Sequence, residues 1–218
     1  MTAALQVRPL AGGAGFPKAV VFDLDGTLVD SAALHRHCLR QAVVAVGGQP
    51  PSAARLATAE RPTDLGTVLQ LVGPDLLEAA YRAYTSAFDA GLTTWPPVAL
   101  PAVGAVLAAA RRRGLPVGIC TGRARREAGR LLAAAGLDLH VTVAREDCPA
   151  PKPAPEGLVI AVRRLGVSPD EVIYVGDRPS DAAQGAAAGV ATLVLSPQEA
   201  RSGTALSALV AMIEGRPA

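Results

Sequence analysis

The 218-residue chain is half hydrophobic and 18% charged, which gives enough apolar material for a sizeable core and argues against a disordered chain. Its 21 lysines and arginines face 19 aspartates and glutamates, so the net charge is +2, and no concentrated basic surface points to nucleic acid. Three cysteines without CxxC spacing argue against a disulfide framework, and no run of about 18 apolar residues supports a membrane span.

In chain order, residues 1–15 read as a flexible leader without the charged head and apolar core of a secretory signal. Free thiols fit a reducing, cytoplasmic setting. Residues 19–22 (AVVF) form a short apolar run that ends in acids. Similar runs follow at 117–120 (VGIC), 141–143 (VTV), 172–175 (VIYV) and 191–195. Continuous apolar runs suit strands buried on both faces. Helical periodicity lies between them, over 103–113, 125–135, 155–165 and 180–188, with a further amphipathic segment at 205–213. Gly114, Gly136 and Gly166 stand where helices stop. Alternation of strand and helix predicts an α/β fold, a Rossmann-like three-layer α/β/α core around a parallel sheet.

From Ser31 to about Thr94 the alternation breaks, and helix-like runs cover 34–46, 65–72 and 76–88 before the proline-rich 95–101. This predicts an inserted all-helical cap over residues 32–97, with the catalytic core made of 16–31 and 98–218. Ligands of open α/β sheets bind at the carboxyl ends of the strands, so an insert leaving the first strand would sit over the site as a lid.

Those strand ends carry the chemistry. Asp23 and Asp25, two apart in an extended stretch, project the same way, and Gly26 then permits a sharp turn. Paired acids serve a hard cation, or divide attack and proton transfer between them. A bare DxD is as readily a solvated strand end, but the full string FDLDGTLVDS at 22–31 is more specific. It resembles the nucleophile motif of the haloacid dehalogenase-like (HAD) superfamily. Thr121 ends the second run, Lys152 lies in a KPAPE loop, and Asp177 and Asp181 lie in GDRPSD. All three match the later motifs of that family, in order, so that the resemblance spans roughly residues 18–195. It is closest to the helical-cap subfamily I, phosphoglycolate phosphatase-like.

The resemblance implies Asp23 as nucleophile and Asp25 as the acid and base. It implies Mg2+ held by Asp23, the Asp25 carbonyl and Asp177, with Asp181 bound directly or through water. Thr121, Lys152 and backbone N–H groups near Gly26, with Thr27 and Gly122, would stabilise charge on the phosphoryl oxygens. The substrate would be a small phosphorylated metabolite, handled by a monomer or homodimer without nucleic acid or membrane. Asp25 argues against a dehalogenase, and the lack of any lysine between Lys18 and Lys152 excludes the cap-lysine chemistry of phosphonate hydrolases. A β-phosphoglucomutase-like isomerase is the alternative, favoured by His35 at the cap hinge and disfavoured by Gly176-Asp177 in place of a Glu-Asp pair. A non-catalytic phospho-ligand module would be expected to lack a nucleophile or metal ligand, and none is missing.

Three further features remain open at this level. Ser31 is either part of the motif or an N-cap for the next helix. The basic run Arg123, Arg125, Arg126 follows Thr121-Gly122 where many relatives have Thr-Asn, and Arg123 either meets an anionic substrate group or faces solvent. In the cap loop 60–64, Arg61 and Thr63 are expected to touch the leaving group. With 3% aromatic residues there is no evident stacking platform for a nucleotide base.

Overall fold

The computed structural model describes residues 16–140 and 142–215. Strand β1 (Ala19–Phe22) is buried along its whole length. It lies between β4 (Val117–Ile119) and β5 (Val172–Gly176), with β6 (Ala191–Val194) outside β5, in the parallel order β4-β1-β5-β6. Phe22 stands opposite Ile119 and Val175, so the three strands finish at one level and the residues after them share one edge.

The period of two sends Val20, Phe22, Ile173 and Val175 into one apolar cluster and Ala19, Val21, Val172 and Tyr174 into another. Helices α5 (Val103–Arg112), α6 (Arg125–Ala134) and α10 (Thr204–Glu214) supply the first face, and α7 (Glu156–Leu165) supplies the second. Helix α8 (Pro179–Ala188) crosses from β5 to β6, and α9 (Pro197–Ser202) follows β6.

The helical cap leaves and re-enters this body through a two-stranded antiparallel ribbon, β2 (Val29–Asp30) against β3 (Val98–Ala99). It contains α1 (Ala32–Ala45), α2 (Ala53–Ala59), α3 (Asp64–Val72) and α4 (Leu77–Gly91). Leu34, Cys38 and Leu39 of α1 and Tyr84 and Phe88 of α4 belong to the same apolar cluster as Phe22. The cap therefore packs onto the body through a continuous core.

Several expectations need correction. The apolar run at 141–143 is not a strand among the described residues. Val143 makes a single bridge to Cys120, then the chain turns at Ala144, whose N–H donates to the Asp147 carboxylate at 2.8 Å; Val141 lies outside the described residues. Ser31 occupies the N-cap position of α1 but makes no cap bond, because its hydroxyl donates to Asp25; Asp30 instead accepts from the Ala32 N–H at 3.1 Å. Helix α2, too short to show periodicity, is set by Ser52, whose hydroxyl accepts from Arg55 N–H. The leader 1–15 lies outside the described residues. All three cysteines are free thiols, and no described helix is long and apolar enough to cross a membrane.

Candidate active site

The chain leaves β1 at Asp23 and closes a tight turn, with Leu28 and Val29 N–H both donating to the Leu24 carbonyl. Gly26 has φ +79° at the apex, and a Cβ there would lie 2.3 Å from Asp177 Oδ2. Glycine is thus required twice, for backbone conformation and for room. Across the sheet edge, a Cβ on Gly176 would lie 2.5 Å from the Asp181 carboxyl, which occupies the space a side chain at 176 would need.

These turns bring together Asp23, Asp177 and Asp181, each offering an oxygen within 4.8 Å of the others. Lys152 enters from the loop after Cys148, with its peptide bond to Pro153 cis. Its Nζ donates to Asp23 Oδ1 at 2.5 Å and Asp181 Oδ1 at 2.8 Å. Tyr174 Oη also donates to Asp181 Oδ1 at 2.8 Å, and the N–H groups of Asp177 and Arg178 reach its other oxygen. Burial lowers the proton affinity of the Lys152 amine, but Asp23 and the other anions outweigh it and hold the ammonium well above its ordinary range. Burial, only partly offset by Lys152, pushes the Asp23 carboxyl up to about 7 and, only partly offset by Arg178, pushes that of Asp177 up to about 6.

Three carboxylates share one ammonium, with the Arg178 guanidinium 4.0 Å from Asp177 but hydrogen-bonded to Glu60, so the cluster is short of positive charge, and Asp177 Oδ1 is buried without a hydrogen-bond partner. That is the deficit a hard divalent cation would fill, and an all-oxygen donor set suits Mg2+. The residues present therefore fit such an ion.

A second cluster adjoins the first. Asp25 accepts from Arg123 through both oxygens, Nε to Oδ2 at 2.8 Å and Nη2 to Oδ1 at 2.6 Å, and from the Ser31 hydroxyl. Burial pushes the Asp25 carboxyl up, but the Arg123 charge and these hydrogen bonds prevail and hold it at about 2. Arg123 Nη1 reaches Asp64 Oδ2 at 3.2 Å and Tyr84 Oη at 3.1 Å, both from the cap. His35 Nδ1 lies 2.9 Å from the same Tyr84 hydroxyl, and burial holds the imidazole below its ordinary range.

The sequence-derived residues divide as follows. Asp23, Asp25, Thr121, Lys152, Asp177 and Asp181 all border one cleft of about 350 Å3 between sheet edge and cap, together with Gly26, His35 and Arg123. Thr121 is buried, and its Oγ1 accepts from Arg123 N–H at 3.2 Å. Thr27 is fully buried, with an unpartnered hydroxyl. Gly122 sits under the cap loop, where a Cβ would lie 1.9 Å from the Pro62 carbonyl oxygen. Thr63 borders the cleft, but its hydroxyl caps α3 by accepting from Gly66 N–H. Arg61 also borders it, yet its guanidinium turns back to the carbonyls of Thr58 and Glu60 at the end of α2. Of the basic run, Arg123 is buried, whereas Arg125 pairs with Asp147 and Arg126 with Asp89 of α4. The sequence placed Asp64 in the cap loop facing the site without a role of its own, and gave Tyr84 and Tyr174 no part in the site. Asp64 was visible as the acid closing the cap loop; the tyrosines read as ordinary core residues.

The turns after β1, β4 and β5 and the Lys152 loop bound one cleft, in which a carboxylate stands beside an ammonium and an acid cluster suits a hard cation. The chain belongs to the haloacid dehalogenase-like hydrolase family, whose sequence profile matches residues 17–189. It is 33% identical over 204 residues to a phosphoglycolate phosphatase of Rhodospirillum rubrum, covering 83% of this chain and 80% of that one. It is 30% identical over 197 residues to a glyceraldehyde 3-phosphate phosphatase of Methanopyrus kandleri, covering 81% and 82%. Among solved structures, a haloacid dehalogenase-like hydrolase from Bacteroides fragilis superposes with a TM-score of 0.73 at 26% identity, over 83% of this chain and 88% of that one.

Proposed function

We propose that the protein is a Mg2+-dependent phosphatase acting on a small phosphorylated metabolite through an aspartyl-phosphate on Asp23, with residues 32–97 as its lid. The observation that carries this is the convergence of Asp23, Lys152, Asp177 and Asp181 at one sheet edge, with Lys152 Nζ 2.5 Å from Asp23. The two similar phosphatases support the same chemistry.

In the first step an Asp23 oxygen bonds to phosphorus while the ester P–O bond breaks, and the leaving oxygen takes a proton through Asp25, which is ionised in the free chain and takes that proton up from solvent as the substrate binds. In the second step water attacks the acyl phosphate, gives its proton to Asp25 and releases phosphate, restoring Asp23. Lys152, Thr121 and backbone N–H groups of the turn after Asp23 hold the phosphoryl oxygens, the ammonium as a compact charge. A bound Mg2+, held by Asp23, Asp177, Asp181 and the Asp25 carbonyl, would neutralise the repulsion between carboxylate and phosphate. Hydrolysis is favoured over phosphoryl shuffling because Gly176 leaves its space to Asp181 and provides no extra carboxylate.

The test is phosphate release from a panel of small phosphate esters, with Mg2+ and with EDTA, for the wild type and Asp23→Asn. The expected result is metal-dependent turnover that falls at least about a thousandfold in Asp23→Asn. Conversion of β-glucose 1-phosphate to its 6-phosphate without net release would make the protein a mutase instead.

A further inference from the structure

Arg123 is the least exposed arginine at the boundary between body and cap, 4% exposed, and its guanidinium is shared between them. One edge of the planar fork holds both oxygens of Asp25, and the Nη1 corner holds Asp64 of α3 and Tyr84 of α4. The Phe88 ring of α4 lies against it, with the guanidinium carbon 5.9 Å from the ring centroid. Other body arginines also reach the cap: Arg126 and Arg130 meet Asp89, Arg145 meets Tyr81, and Arg178 meets Glu60. Those contacts are at least partly solvated, and none touches Asp25.

A guanidinium is rigid and planar, so what fixes one corner fixes the other. The cap loop comes close enough to supply Asp64 because residue 122 is glycine, with Pro62 O where a Cβ would stand. Ser31, at the start of α1, adds a direct bond to Asp25. Every polar side chain that holds the Asp25 carboxylate is therefore either in the cap hinge or held by the cap.

We infer that Arg123 is a positioning residue that couples seating of the cap, through Asp64 and Tyr84, to the placement of Asp25 for proton transfer. The inference rests on the phosphatase assignment for the role of Asp25. It goes beyond that assignment in making an arginine outside the four motifs, and a cap aspartate, part of the proton-transfer apparatus.

The experiment compares kcat/KM for an alkyl phosphate, whose leaving oxygen needs a proton, with that for a nitrophenyl phosphate, whose leaving oxygen departs without one. Arg123→Lys keeps the charge and removes the fork; Asp64→Asn removes the cap's hold. Each is expected to lose about tenfold or more on the alkyl ester and less than about threefold on the aryl ester. Asp89→Asn, which cuts only the surface contact, should change neither. Equal losses on both esters, or none, would overturn the inference in favour of a purely structural ion pair. A second measurement needs no turnover. The Arg123 Nε–H bonds only Asp25, so its hydrogen exchange reads that contact directly. Asp64→Asn should accelerate it about tenfold or more, and unchanged protection would overturn the coupling. Should the wild type release phosphate from neither ester, the phosphatase assignment fails, and this exchange still decides whether cap and Asp25 are tied.

Discussion

Asp23 is caught between an ammonium that favours its charge and a dry, acidic neighbourhood that opposes it. Burial and the two neighbouring aspartates push its carboxyl from 3.8 to about 7, and burial pushes that of Asp177 from 3.8 to about 6. The folded chain thus binds these protons more tightly than the unfolded chain does. The stability they contribute is full below about pH 4 and is lost as pH rises through about 6 to 7. In EDTA, the melting temperature should therefore fall between about pH 5 and pH 7.5, and Asp23→Asn should flatten that slope. Added Mg2+ should raise the melting temperature more at the higher pH, where it replaces the missing protons. A metal-free protein equally stable across this range would contradict the charge deficit assigned to the cluster. Asp25 lies on the other side of the balance: Arg123 and Ser31 keep it ionised, so its contribution is present above about pH 4 and lost only as pH falls through about 2.

At the scale of elements, the turn after β4 and the cap loop meet almost backbone to backbone. Gly122→Ala would put a methyl carbon 1.9 Å from the Pro62 carbonyl oxygen, and neither partner is a flexible side-chain end. The cap loop must then lift. The expected result is a loss of about ten- to a hundredfold in kcat/KM, measured by steady-state kinetics, with the fold retained. This also accounts for the departure at residue 122: a larger side chain there would hold the cap off the site. Legibility differed between elements for definite reasons. The buried strands and long amphipathic helices announce themselves by period, because each must hide a face. Helix α2 and the ribbon β2–β3 are too short to carry a period, and the third apolar run, 141–143, reads as a strand locally but among its described residues makes one bridge, Val143 to Cys120. Helix α9 did carry a signal, Ser196 with Glu199 as a capping box, in a segment too short for apolar repetition.

At the scale of the molecule, one apolar cluster runs from Phe22 in the sheet to Leu34, Tyr84 and Phe88 in the cap. Surface ion pairs such as Arg126–Asp89 add little to this, since solvent screens exposed charges and the long side chains lose freedom on pairing. Cap and body should therefore melt in one transition. Phe88→Ala is expected to lower the stability of the whole chain by about 3–5 kcal/mol in denaturant unfolding, without splitting the transition. A separate early phase in that variant would show that the cap comes apart alone.

The sequence by itself determined the α/β body, the helical insert and the motifs after β1, β4 and β5, whereas the Lys152 motif lies in a loop and not at a strand end. Strand burial, helix period and the FDLDGTLVDS string are local properties, and parallel strands in register bring their ends together. It also marked Gly122 as a departure and left Arg123, which follows it, open between substrate contact and solvent. Only the tertiary structure decided where Arg123 points, because Asp25, Asp64 and Tyr84 lie 98, 59 and 39 positions away from it along the chain. The same holds for Arg61, whose direction depends on the carbonyls left open at the end of α2. A side chain's neighbours across a domain boundary follow from how two packed bodies meet, and no periodicity within either body encodes that meeting.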